Sequence, residues 1–276
     1  MTNRLRYLLA VLALALVAVS LAACGGDDGP TATPVSTKGR AVIQVAVTPP
    51  IPDNVMTNLQ AVLKARLDDA GLTSTITLAS DNQIRIDFEG PRSINVVTEL
   101  VSTPGVRFKV PVKDGTLIKC KDTSGGEFSV DPAIVTQFQQ VGNLPVCVAT
   151  DGRRGEVEWA PAAASLNSVQ TELIGDMIPK THVAIVADSN GNQILNADFD
   201  ANGTVLLQQI TADLVGYPLG VFLGDSLQLA ALIQRQITNG RITLAGASLE
   251  GMEELGSILK GGELSAPVTL VSIEKQ

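Results

Sequence analysis

The sequence predicts an α+β protein, and three observations carry that expectation. Apolar residues alternate with polar ones over 40–47, 84–88 and 268–273, the period of half-buried strands. Over 54–70 and 248–261 they recur at three- and four-residue intervals, the period of helices that bury one face. Turn-forming pairs such as Asp81-Asn82, Pro104-Gly105 and Asn190-Gly191 separate these segments. With 276 residues, 45% of them hydrophobic and 17% charged, the chain can bury a core and is not disordered.

Taken in order, Ile43, Val45 and Val47 form the inward row of a first strand, which Pro49, Pro50 and Pro52 end. Asp53 is placed to cap a helix whose Val55, Leu59, Val62, Leu63 and Leu67 share one face, and Gly71 suits its left-handed C-terminal position. Strands over 73–78 and 84–88 flank the Asp81-Asn82 turn. A second helix over 92–102 buries Ile94, Val97 and Val101, and a strand over 106–110 follows. The order β-α-β-β-α-β is that of a ferredoxin-like unit. Residues 113–180 read as loop-rich, with Asp131-Pro132 opening a short helix through Gln140. Order then returns. Strands over 183–185 and 194–199 flank Asn190-Gly191, and a helix over 205–214 carries Leu206, Leu207, Ile210 and Leu214. Strands follow over 219–223 and 241–245. Ser248 is placed to cap a last helix lined by Leu249, Met252, Leu255, Ile258 and Leu259, and 268–273 is the final strand. The segment 227–237 is ambiguous, because its Leu, Gln and Ala residues favour a helix by local propensity.

The N-terminus reads as an address. Arg4 and Arg6 precede an apolar run from Tyr7 to Ala23, which ends in Leu21-Ala22-Ala23-Cys24. Leu-Ala-Ala-Cys resembles the bacterial lipobox, which implies removal of a signal peptide over 1–23 and lipidation of Cys24. Residues 24–39, rich in Gly, Asp, Thr and Pro, then read as a flexible tether. No other stretch is long and apolar enough to span a bilayer, so the expected location is extracytoplasmic, held to the cell membrane by lipid. In that compartment the remaining pair, Cys120 and Cys147, is a candidate disulfide, two buried thiols being the alternative.

Composition excludes several functions. The formal charge of −8 opposes nucleic-acid binding, which needs clustered Lys and Arg. The single histidine, His182, removes the metal sites built from two or three His, and no cofactor fingerprint or P-loop is present. Aromatics at 3% supply few stacking platforms. Asp198-x-Asp200-x-Asn202-Gly203 fits the first half of an EF-hand loop, but position twelve is Gln209 rather than a bidentate Glu. A strand end, a helix cap and a tight turn are the plainer reading. No metal, no catalytic set and no enzymatic activity are expected.

The C-terminal third carries a resemblance. Residues 219–271 have an apolar strand, a turn at Gly224-Asp225, a strand with outward polar residues, a Gly-rich turn, another strand, a helix and Lys260-Gly261-Gly262-Glu263-Leu264-Ser265-Ala266-Pro267. Upstream lie Leu173-Ile174-Gly175-Asp176-Met177 and a strand, Phe199-x-x-x-Gly203 turn and helix over 188–211. Arg66-Leu67-Asp68-Asp69-Ala70-Gly71-Leu72 completes the set. This pattern resembles the first periplasmic domain of the protein-export membrane protein SecD. The resemblance implies a split ferredoxin-like base, 40–111 with 265–276, and an inserted α+β head over 112–264. It makes 227–237 a strand, against local propensity. The sequence departs from the family in having Gly224-Asp225 where the family has Asp-Gly, and Ala230-Ala231-Leu232 where it has Ser-Ala-Pro. It also lacks the acidic membrane helices that couple SecD to protons, so pumping is not expected of this polypeptide alone.

What remains is a binding surface. The resemblance implies a head that holds emerging or unfolded secretory polypeptide through an apolar groove and open strand edges, with Sec translocon components as further partners. Leu227, Leu229, Ala231 and Ile233, with Ile242 and Leu244 on the expected neighbouring strand, are the candidate groove residues, core packing being their alternative role. The competing function is a solute- or cell-wall-binding lipoprotein that reuses the fold.

Overall fold

The computed structural model describes residues 36–47, 51–80, 82–132, 146–245 and 248–276. Cys24, the turn residue Asp81 and most of the short helix expected through Gln140 lie outside the described residues.

In chain order the base opens with β1 (Thr37–Val45), α1 (Asp53–Asp69), β2 (Thr73–Ser80), β3 (Gln83–Gly90) and α2 (Ile94–Ser102). Then come β4 (Val106–Pro111), β5 (Lys113–Asp114), β6 (Leu117–Asp122), β7 (Glu127–Val130), β8 (Val146–Val148), β9 (Arg154–Val157) and β10 (Trp159–Pro161). The short β11 (Ala163–Leu166) and β12 (Val169–Glu172) pair with each other. They are followed by β13 (Val183–Ala187), β14 (Gln193–Asp198), α3 (Ala201–Asp213), β15 (Pro218–Leu223), β16 (Ser226–Leu232), β17 (Arg241–Leu244), α4 (Leu249–Gly261) and β18 (Val268–Lys275).

The fold is a split ferredoxin-like base with an inserted α+β head. In the base sheet, ordered β18-β1-β3-β2, the last strand of the chain pairs antiparallel with the first. Ala41, Ile43, Val45, Ile84, Ile86 and Phe88 turn inward at a two-residue period, while Arg40 and Asp87 pair at 2.7 Å on the other face. Three sequence expectations are corrected here. Residues 37–39, read as tether, are already paired in β1. The strand at 106–111, read as fourth in the β-α-β-β-α-β unit, leaves the base and joins β15 and β10, and β18 takes its place. Pairing partners are non-local, and periodicity carries no information about them. Asp53 does not cap α1 either; Pro52 precedes the helix without a side-chain cap, and Asp53 lies in the positive first turn. Gly71, at φ +77°, ends α1 in the left-handed conformation.

The head is richer in strands than the sequence suggested. Within the stretch read as loop, residues 113–130 and 146–157 form short paired strands around a satellite core of Ile118, Phe128, Val130 and Val157. Strands this short hold too few residues to show a period. Cys120 and Cys147, both fully buried, are disulfide-bonded with Cα atoms 6.2 Å apart, and their strands flank β9 on either side.

Helix α4 belongs to both parts. One side packs on α1 and α2 of the base and the other on β13 and β14, where Gly256 lies against Ile185 and Leu195. Beside its C-terminus is Arg66 of α1, whose side chain is fully buried. Its Nη1 donates to Leu100 O at 3.1 Å and Thr103 O at 2.6 Å, at the end of α2. Its Nη2 donates to Pro104 O at 3.0 Å and, with Nε, to Gly262 O at the end of α4. A guanidinium thus satisfies carbonyls that two helix ends leave free, where the helix dipoles also favour positive charge. Gly261 is required by the close approach, since a Cβ there would lie 2.2 Å from Arg66 Cγ. Burial lowers the Arg66 pKa to about 10, opposed by Asp176 and Glu263, so the group stays charged at neutral pH.

Arg66→Met should therefore destabilise the protein by about 3–5 kcal/mol, because it strands buried carbonyls. Arg66→Lys, whose ammonium cannot reach so many acceptors, should recover only part of this. Urea unfolding of the three proteins checks the order. A second expectation concerns Glu254 on α4. Burial, then Glu99 and Glu250, raises its pKa from the usual 4.5 to about 7. The folded state then binds more protons than the unfolded one between those values, so stability should fall as pH rises from 4.5 to 7. Glu254 is half-exposed, so the effect is screened to about 1 kcal/mol. Glu254→Gln should flatten that dependence in a thermal-melt series.

Candidate functional site

The segment Ser226–Leu232 is a strand, although its Leu, Gln and Ala residues prefer a helix. Its neighbour explains the outcome. Strand β15, Pro-Leu-Gly-Val-Phe-Leu, is buried at every position, and only a strand laid beside it satisfies its backbone edge. The two join through Gly224-Asp225, with Gly224 at φ +57°; glycine first with positive φ is the type II′ arrangement, so the order Gly-Asp fits this hairpin.

In the sheet ordered β10-β4-β15-β16, β16 is an edge, and no strand among the described residues pairs with its outer side. It carries no charge and no proline, the usual guards of an edge. Gln228 is an extra residue: Val221 pairs with Leu229 but Phe222 with Leu227. This bulge puts Leu227 and Leu229, two apart in sequence, on opposite faces. Ile233 N–H donates to Tyr217 O at 3.0 Å and sets the phase of the ladder. Leu229 and Ala231 therefore turn their backbone groups toward β15, and Ala230 and Leu232 turn theirs outward.

The two faces of the edge differ. Leu229, Val221 and Phe108 share the inner face, where Phe108 meets Phe199 with ring centroids 5.4 Å apart. Leu227, Phe222 and Trp159 gather on the outer face. Trp159 and Phe222 meet edge to face at 5.5 Å, and Lys109 Nζ lies 4.5 Å over the Phe222 ring and 3.3 Å from Asp225. Gly220 has no room for a side chain, since its Cβ would come within 2.9 Å of Trp159 and 3.2 Å of Leu227.

The expected groove residues therefore do not form one face. Leu227, Leu229 and Ala231 are half-buried on β16, and Ile233 just beyond it is core at 6% exposure. Ile242 and Leu244 are not on a neighbouring strand. They lie in β17, which pairs with β14 in a separate sheet, and both are core. Sequence reasoning missed Trp159, Phe222 and Ala230. An isolated aromatic in a segment read as loop gives little signal, and the bulge that sorts the faces gives none.

Other candidate chemistry resolves into structure. Asp198 pairs with Arg241 at 2.8 Å, which holds its pKa below the usual carboxylate range, and Asp200 caps α3 through Gly203 N–H at 2.7 Å. His182 is exposed in a turn before β13. Among the described residues no group of His, Cys, Asp or Glu could hold a metal, and no helix is long and apolar enough to cross a membrane. A cavity lined by Asn58, Val62, Asp176, Glu263 and Ser265 has its carboxylates engaged, Asp176 by Glu263 N–H and Glu263 by Arg107.

Residues 156–266 match the family described as SecDF, P1 head subdomain. Protein translocase subunit SecD of Petrotoga mobilis is 21% identical over 233 residues, 80% of this chain and 46% of that protein. SecD of Calditerrivibrio nitroreducens is 29% identical over 100 residues, 36% of this chain and 19% of the relative. This chain thus spans less than half the length of these relatives. Among solved structures, SecDF in a super-membrane-facing form has a TM-score of 0.56 at 19% identity, over 98% of this chain and 34% of that one. A second, of a membrane component SecDF that enhances protein export, has a TM-score of 0.55 at 18% identity, over 85% of this chain and 99% of that one. Residues 156–266 are thus similar to a SecDF P1 head, and the chain shares its fold with SecDF structures.

Proposed function

We propose that the chain is an extracytoplasmic lipoprotein, anchored through Cys24, that holds extended polypeptide on the open edge of β16 and assists Sec-dependent export or the handling of chains after translocation. The observation that carries this reading is an uncharged, proline-free edge strand beside the partly exposed Trp159, which packs on the buried Phe222, inside the region that matches the SecDF P1 head. Strand addition suits such a role, because backbone hydrogen bonds accept many sequences. A solved relative is described as enhancing protein export, which agrees with the same reading. Translocon components are then the expected neighbours. The solute- or wall-binding alternative draws no support from the cavity beside α1, whose acidic groups are occupied by the protein itself.

Two outcomes are expected. Ala230→Pro removes an outward N–H without touching the ladder to β15, so binding to an unfolded secretory chain should fall at least about tenfold with the fold intact. Leu244→Asp, a control in the core, should instead unfold the protein, because an unpaired buried charge costs several kcal/mol. Circular dichroism beside a binding titration separates the two. Wild-type affinity should vary little with salt; saturable binding of a small solute with none of unfolded chains would overturn the reading. For the anchor, Cys24→Ser should abolish incorporation of labelled palmitate, and label retained in that variant would exclude Cys24 as the acceptor.

A further inference from the structure

We infer that Ala230 selects the polypeptide, so that the β16 edge takes an extended segment carrying one large apolar side chain opposite Ala230. This rests on the reading of β16 as a strand-addition site. A guest strand extends the rows of side chains already crossing the sheet. On the outer face one such row is Lys109, Gly220 and Ala230. It ends on the two smallest residues of the surface. The next row in one direction holds Phe222 and Leu227, and in the other Pro218 and Leu232. The Trp159 ring reaches across to lie over Gly220, so the low floor at Ala230 is bordered by Trp159, Phe222 and Leu227 rather than by solvent alone. Directly opposed side chains on paired strands have their Cβ atoms only about 5 Å apart, so a guest side chain here leans over Ala230 and meets that wall. An alanine or serine at the same guest position leaves the wall uncovered.

Charge adds no further selection. The cations on the outer face of β4 are Arg107, which Glu263 engages, and Lys109, whose partner Asp225 is fully exposed and 3.3 Å away. Each of these cations is therefore balanced by a carboxylate, so the patch selects by shape and apolar contact. The occupant is an extended segment with one bulky apolar residue opposite Ala230.

The test uses a Thr/Ser-rich strand peptide with one variable central residue, titrated against the whole protein. Phe or Trp at that position should bind about five- to tenfold more tightly than Ala, as aromatic cross-strand contacts allow. Ala230→Leu, which fills the floor, should reduce the ratio to below about twofold. Should that variant misfold, the wild-type protein still decides: a benzophenone side chain at the variable position should crosslink to Trp159, Leu227 or Ala230. Equal binding of all peptides, or crosslinks confined to the inner face, would overturn the assignment of Ala230 and leave strand addition standing. No binding of any peptide would overturn strand addition at β16 and this assignment with it.

Discussion

A single buried guanidinium holds the two halves of this molecule together. The chain leaves the base through Thr103-Pro104-Gly105 and returns through Gly262-Glu263-Leu264, and Leu264 N–H donates to Pro104 O at 2.7 Å where the crossings touch. Arg66 bonds to both crossings and to the ends of both helices that lead into them. Splitting a ferredoxin-like unit by a large insertion creates two helix ends with unpaired carbonyls in the interior, and water cannot reach them. One planar cation with several fixed donors resolves the conflict where a lysine or an apolar side chain would not. Gly261 follows from the same contact. So does the position of α4, whose two faces make the helix layer of the base and the floor of the head sheet one continuous core.

How much of this was legible in the sequence depends on how local the information is. Inward rows such as Ile43 with Val45, and Ile84 with Ile86, could be read because one buried face forces a period of two. The helices of the base could be read for the same reason, as could Gly71 at the end of α1. Strand partners could not be read from periodicity, although the resemblance put 265–276 in the base, where β18 pairs with β1. The departure of β4 from the base is a choice between two surfaces far apart in sequence, and the residues of β4 fit either. Arg66 sits at a helical position beside Leu59, Leu63 and Leu67, so a cation on an apolar stripe was visible, but its acceptors are backbone groups that no side-chain pattern announces.

The candidate site shows the limit more sharply. The family resemblance made 227–237 a strand where local propensity argued for a helix; the strand forms over Ser226–Leu232, because its neighbour is buried on both faces and must be paired, and it does not continue over 233–237. Yet strict alternation was the wrong ruler for its side chains. One extra residue, Gln228, changes the phase halfway along the strand, separates Leu227 from Leu229 and brings the former beside Trp159, a residue from a different hairpin. A bulge has no composition of its own. It sets Leu227 opposite Phe222, and that pairing is a property of the assembled sheet.

The placement of β1 has a mechanical meaning. The first strand of the described chain lies inside its sheet, bonded to β18 on one side and β3 on the other. A load drawn on the chain ahead of Thr37 acts along the strand axis and is shared by both ladders in shear, so several hydrogen bonds must yield together. A guest on the outer edge of β16 meets the opposite geometry when pulled sideways: its bonds open one after another, like a zip. On the anchoring and strand addition proposed above, the body would stay attached under a tension that a guest strand would not resist.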